Sequence, residues 1–119
     1  MVRFGIIGTG RISDWVLKGA AQDPRVKVTA VCSRTVDAAE SFISRNPLAD
    51  GARVYTSVEE MAADPQVDAV YIGTPNQTHC EYTLASLKAG KHVVSSNKHL
   101  ICTYYEELHA LALENGVTL

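Results

Sequence analysis

No apolar run in this chain reaches the roughly 20 residues needed to span a bilayer. The opening Met1-Val2-Arg3-Phe4-Gly5 has no basic stretch followed by an apolar one, the pattern of a secretory leader. A membrane protein and a secreted one are therefore not expected. An excess of basic residues is also missing: 11 Lys and Arg stand against 13 Asp and Glu, a formal net charge of -2. With the signs interspersed, that balance supplies no cationic stripe, so neither nucleic acid nor an anionic membrane is an expected partner. Cysteine is scarce. Cys32, Cys80 and Cys102 are odd in number and far apart, matching neither a zinc spacing nor a disulfide framework. The expectation is a metal-free protein of the reducing cytoplasm.

What is present is alternation. Short runs rich in β-branched residues are each followed by a stretch of helical period, the sequence form of βαβ units and a parallel sheet. At 119 residues and 46% hydrophobic, the chain can bury one core without staples. Strands are expected at Val2–Ile7, Val26–Cys32, Arg53–Tyr55, Ala69–Ile72 and His92–Ser95, with a sixth beginning at Val117-Thr118-Leu119. The first helix is expected from about Ile12 to Gln22. Ile12, Trp15, Val16, Gly19 and Ala20 would form its core-facing stripe. Val36, Ala39, Phe42 and Ile43 mark the buried face of the second, which Asn46-Pro47 stops. Capping boxes at Ser57/Glu60, Thr78/Glu81 and Thr103/Glu106 start three more, and Gly90 and Gly116 stop the last two. Leu108, Leu111 and Ala112 line the last helix. The fold class is α/β, a doubly wound parallel sheet, cut off at its sixth strand and lacking a second domain. Residues 1–119 read as one dinucleotide-binding domain, the substrate domain being absent.

Between the first strand and the first helix lies Gly8-Thr9-Gly10-Arg11-Ile12-Ser13, a G-x-G-x-x-S turn. Gly8 suits a tight turn, and Gly10 lets backbone approach a pyrophosphate. Ser13 replaces the third glycine while staying small enough for close helix–strand packing. The helix start offers unpaired N–H groups and partial positive charge to phosphate. Gly8, Thr9, Gly10, Arg11 and Ile12 are therefore candidate cofactor-binding residues, Arg11 as a second arginine within reach of phosphate.

The end of the second strand bears on which dinucleotide is bound. A carboxylate there would accept hydrogen bonds from ribose hydroxyls, as in NAD enzymes. Instead the chain runs Cys32-Ser33-Arg34-Thr35, with no acid before Asp37. Two hydroxyls flanking a guanidinium suit a phosphate dianion. Ser33, Arg34 and Thr35 are assigned to the cofactor, NADP(H) being favoured and NAD the alternative.

Ala30-Val31-Cys32-Ser33-Arg34, Ala38-Ala39-Glu40-Ser41-Phe42, the run from Val67 through Gly73-Thr74-Pro75-Asn76-Gln77-Thr78-His79, and Ala89-Gly90-Lys91-His92-Val93 together resemble the amino-terminal domain of the Gfo/Idh/MocA oxidoreductases. That family includes glucose-fructose oxidoreductase and inositol dehydrogenase. The resemblance covers nearly the whole chain. It implies that Thr74, Pro75 and Asn76 border the nicotinamide side of the cofactor, with His79 at the following helix start. It also implies hydride transfer on a sugar or polyol-like small-molecule substrate, in a full-length parent that carries a second domain.

One stretch departs from the family. Its usual Glu-Lys-Pro after the fifth strand is here replaced within Ser95-Ser96-Asn97-Lys98-His99, Asn97 standing in the lysine position. Gly90 through Lys98 is instead similar to homoserine dehydrogenases, which carry an Asn-Lys pair there. By that resemblance Lys98 is the candidate catalytic residue. A desolvated lysine there could move a proton or donate a hydrogen bond to substrate. Two alternatives to a sugar oxidoreductase stay open: a non-catalytic nucleotide-binding regulatory module, and a fragment of a homoserine-dehydrogenase-like enzyme. The 119-residue chain is expected to be largely monomeric, since the family associates through the second domain.

Overall fold

The computed structural model describes residues 2–73, 76–94 and 107–118, with backbone alone over 76–80. The chain order is β1 (Val2–Ile7), α1 (Arg11–Ala20), β2 (Val26–Cys32), α2 (Val36–Arg45), a 3-10 turn (Pro47–Ala49), β3 (Arg53–Tyr55), α3 (Val58–Ala62), β4 (Ala69–Ile72), α4 (Asn76–Lys88) and β5 (His92–Val94). A further helix, α5, occupies residues 107–114. The strands form one parallel sheet in the order β3-β2-β1-β4-β5. The order reverses between β1 and β4, so the carboxyl ends of β1, β2 and β4 open onto a common crevice. In a doubly wound sheet that crevice is where ligands bind.

Two cores sandwich the sheet. On one side Ile6, Leu17, Val28, Val31, Ala39, Phe42 and Tyr71 pack under α1 and α2. On the other, Ile7, Cys32, Met61, Val70, Ile72, Leu87 and Leu108 pack under α3, α4 and α5. Strands covered on both faces lose the polar alternation of a one-sided sheet; every residue of β4 is buried.

The expected face of α1 is corrected by the structure. Ile12 and Trp15 are 52% and 62% exposed, and Val16 is 36% exposed. The buried residues are instead Ser13 and Leu17. Two contacts set this rotation: Ser13 lies against the backbone at Gly73, and Asp14 is hydrogen-bonded sideways to Asn46 at the end of α2. An apolar stripe identifies an amphipathic helix, but tertiary partners choose the side that is buried. Val36 is likewise exposed, while Ala39 and Phe42 carry the buried face of α2.

Smaller departures concern ends. The Ser57 hydroxyl accepts from the Glu60 N–H, as the capping pattern requires. Helix α4, however, begins at Asn76, so Thr78 lies within its first turn and is not its cap; helix ends read from sequence shift by a residue or two. Residues 117–118 are not in strand conformation. The Val93 N–H nevertheless donates to the Thr118 carbonyl at 2.9 Å, one rung on the free side of β5 where the sixth strand was expected. Ser95, Leu119 and the Thr103/Glu106 capping pattern lie outside the described residues.

Candidate functional site

A cleft of about 1090 Å³ opens at the carboxyl edge of the sheet. Its floor is the β1–α1 turn, with Gly8, Thr9 and Gly10; one wall is the β2–α2 connection, with Cys32, Ser33, Arg34 and Thr35. Gly73 lies at the end of β4, and Thr56, Ser57 and Glu59 come from the β3–α3 connection. Glu81 and Tyr82 of α4 close the far side.

The turn is built by local backbone chemistry. Gly8 has φ 98°, in the left-handed region that side chains avoid. Its N–H donates to the Cys32 carbonyl at 3.0 Å, and the Ser33 N–H donates to the Tyr55 carbonyl at 3.1 Å. The three strand ends are thus stitched side by side. Gly10 is a different case. Its φ of -82° is open to any residue, and a Cβ there would meet nothing within 4 Å. The protein's own packing does not call for glycine at this position.

Helix α1 has no side-chain hydrogen bond at its N-cap, Gly10. Its first N–H groups therefore lack a side-chain acceptor of the chain's own, the arrangement that suits an incoming anion. The Ser13 hydroxyl, in the same helical turn, is fully buried and has no hydrogen-bond partner among the described residues. A Cβ at Gly73 would come within 2.5 Å of that oxygen. Small residues at both positions let α1 approach the end of β4 closely, the task the third glycine of a dinucleotide turn performs.

Across the crevice, Thr35 caps α2 by accepting from the Ala38 N–H at 3.2 Å. The Ser33 and Thr9 hydroxyls lie 3.4 Å apart, a long contact that joins the two loops. Arg34 is exposed on this wall. Burial pushes the Cys32 thiol up to about 11, with the charge of Glu59 adding to the effect, so it is a protonated wall residue and not a nucleophile.

The structure therefore brings Gly8, Thr9, Gly10, Ser33, Arg34 and Thr35 to one cleft. Arg11 and Ile12, in the first turn of α1, are exposed and do not line it. Thr74, Pro75 and Lys98 lie outside the described residues, and Asn76 and His79 are described by backbone alone in the first turn of α4. Sequence reasoning did not single out the β3–α3 wall. The signal was the switch-point rule itself, which brings the loops beyond several strand ends to one crevice. Nor did it find Glu59 and Glu81, the carboxylates that line the cleft among the described residues.

A glycine turn, a parallel sheet with order 3-2-1-4-5 and a cleft at its switch point define a Rossmann-type nucleotide-binding domain. The pattern of the Gfo/Idh/MocA oxidoreductase family, NAD-binding Rossmann fold, matches residues 2–116. The chain belongs to this family. It is 38% identical over its whole length to a scyllo-inositol 2-dehydrogenase (NADP(+)) of Bacillus subtilis, covering 36% of that protein. It is also 38% identical over its whole length to a 1,5-anhydro-D-fructose reductase of Ensifer adhaerens, covering 35% of it. The crystal structure of a 3-ketoreductase from Actinomadura kijaniata, in complex with NADP and TDP-benzene, superimposes with a TM-score of 0.86 at 32% identity. That match covers 98% of this chain and 35% of the other. The chain thus spans about a third of the length of these relatives.

Proposed function

We propose that this chain binds a nicotinamide dinucleotide, NADP(H) in preference to NAD(H), as the cofactor domain of an oxidoreductase acting on a sugar or polyol-like carbinol. The observation that carries the reading is Gly10: the cleft faces a turn whose glycine has open space beside it, at the uncapped start of a ten-residue helix. The α1 N–H groups and the Gly8–Gly10 backbone hold the pyrophosphate. Ser33, Arg34 and Thr35 would hold the 2′-phosphate of the adenosine ribose, for which a guanidinium between two hydroxyls is chemically suited. Arg11 steers phosphate from outside the cleft. By the family resemblance, Thr74, Pro75, Asn76 and His79 would border the nicotinamide side of the bound cofactor. When bound, the cofactor supplies or accepts the hydride. Lys98 donates a hydrogen bond or a proton to the reacting oxygen of the substrate.

The substrate pocket belongs to the part of the relatives this chain does not span, and the 119-residue chain is a largely monomeric binding domain of the cytoplasm. Titration with NADPH and with NADH tests this. Trp15, the single tryptophan, stands on the helix that starts at the cleft and serves as energy donor to the reduced nicotinamide. NADPH is expected to bind more tightly. Arg34→Ala is expected to weaken NADPH by about 10- to 100-fold, the worth of charged hydrogen bonds, and to leave NADH unchanged. A preference for NADH would overturn the 2′-phosphate assignment alone. Failure of the folded chain to bind either would overturn the cofactor reading.

A further inference from the structure

The first turn of α1 carries an acid, Asp14, whose charge favours the helix dipole but opposes a diphosphate at the same helix end. The structure turns this side chain away from the cleft and ties it to α2. Asn46, only 3% exposed, donates one amide N–H to Asp14 Oδ1 at 2.8 Å and another to the Phe42 carbonyl at 2.9 Å. Arg45 stands beside it, with Nη2 3.3 Å from Asp14 Oδ2 and 3.4 Å from the carbonyl of Thr9 within the glycine turn. Arg45 Nη1 donates to the Ser41 hydroxyl at 3.0 Å, which orients the guanidinium. The Asp14 N–H closes the first turn of α1 on the Gly10 carbonyl at 3.2 Å. The end of α2 is therefore connected through Asp14 to the residues that shape the turn, while the start of α2 carries Thr35 on the opposite cleft wall.

We propose that Asp14, Arg45 and Asn46 form a clasp that sets the distance between the glycine turn and the β2–α2 wall, making them positioning residues for a ligand that spans both. The inference rests on the dinucleotide reading. The Thr9–Ser33 contact at 3.4 Å is the weaker tie between the same two loops, open to competition from an incoming phosphate. The clasp lies behind the turn and is satisfied without the ligand. It pre-pays the ordering of the two subsites, and the advantage falls to ligands that touch both.

The test compares NADPH, which spans both subsites, with adenosine 2′-monophosphate, which lacks the pyrophosphate. Asn46→Ala and Asp14→Ala are expected to weaken NADPH about tenfold, the worth of one well-made, part-buried hydrogen bond to a charged group. Adenosine 2′-monophosphate should stay within about twofold of its original affinity. Asp14→Asn keeps an oxygen for Asn46 to donate to and is expected to bind NADPH as the unsubstituted chain does. Equal losses for the two ligands, no loss for either, or an Asp14→Asn variant as weak as Asp14→Ala would overturn the clasp and leave the cofactor reading standing. Absence of NADPH binding by the unsubstituted chain would overturn the cofactor reading and the clasp with it. Should Asn46→Ala fail to fold, Asp14→Ala decides, since its carboxylate is partly exposed.

Discussion

At the amino-terminal edge of the sheet, Asp68 accepts hydrogen bonds from the Arg3 backbone N–H and from two nitrogens of its guanidinium, at 2.8 to 3.0 Å. A third guanidinium nitrogen donates to Gln66. Nearby, the Lys91 ammonium donates to the carbonyls of Asp64 and Val67 at 2.8 and 2.6 Å. The buried Asp64 carboxylate accepts from the Tyr55 hydroxyl at 2.7 Å and from the Gln66 N–H at 2.8 Å. The carboxyl-terminal edge is made differently. There two hydroxyls meet at 3.4 Å, and among the described residues Ser13 has no partner and α1 starts without a side-chain cap. Order at this end comes from backbone stitching, from small residues in close contact and from polar ties set back behind the turn, Asp14 to Asn46 and Arg45. An edge whose polar groups are already paired has little to offer a ligand. An edge held in shape from behind can leave donors on its open side free, at a cost in stability that the opposite edge and the core offset.

The contrast breaks most sharply at Gly73. Gly73→Ala is expected to destabilise the fold by about 2 kcal/mol, because the new methyl meets Ser13 Oγ at 2.5 Å. Adding Ser13→Ala to that variant removes the clashing oxygen and should restore more than half of the loss in chemical denaturation. A Gly73→Ala protein as stable as the original would show that this edge is not held by close packing.

A smaller effect is expected at the other edge. Hydrogen bonds from Arg3 hold the Asp68 carboxyl down to about 2, outweighing the opposing effect of partial burial. The folded state therefore binds fewer protons than the unfolded one. The stabilisation is complete above the ordinary carboxylate value of about 4 and is lost as pH falls toward 2. Asp68→Asn should lower the melting temperature at neutral pH, and the gap to the unsubstituted chain should close in acid. Both partners are about a third exposed, 36% and 35%, so solvent screens the pair and the shift is modest. A gap that does not change with pH would deny the edge its electrostatic character.

Smaller still is Ser13→Ala alone. It deletes a buried hydroxyl that has no partner, and stability should stay within about 1 kcal/mol of the original or rise. A larger loss would mean that the hydroxyl is paired after all. The smallest effect concerns Cys32: with its thiol held near 11 by burial, it should resist alkylation at neutral pH in the folded protein. Rapid labelling of Cys32, read by peptide mass, would contradict the burial of its side chain.

The sequence by itself determined the order and kind of the elements. Val26–Cys32 and Ala69–Ile72 are short runs rich in β-branched residues, and period separates them from the helices between. It also determined the shape of the glycine turn, since the left-handed backbone of Gly8 is a property local to the chain. The place of Arg34 on the cleft was legible for a related reason: it lies two residues beyond the end of β2, and strand ends face the crevice. What only the tertiary structure decided depends on partners far along the chain. The rotation of α1, which leaves Trp15 outside and buries Ser13, is set by Gly73 and Asn46, 60 and 33 residues away from Ser13 in sequence. The pairing of Arg3 with Asp68, the tie from Asp14 to Asn46 and the β3–α3 wall of the cleft have the same origin. A periodic pattern records that a face is apolar, but which neighbour it meets is settled by the packing of the whole sheet.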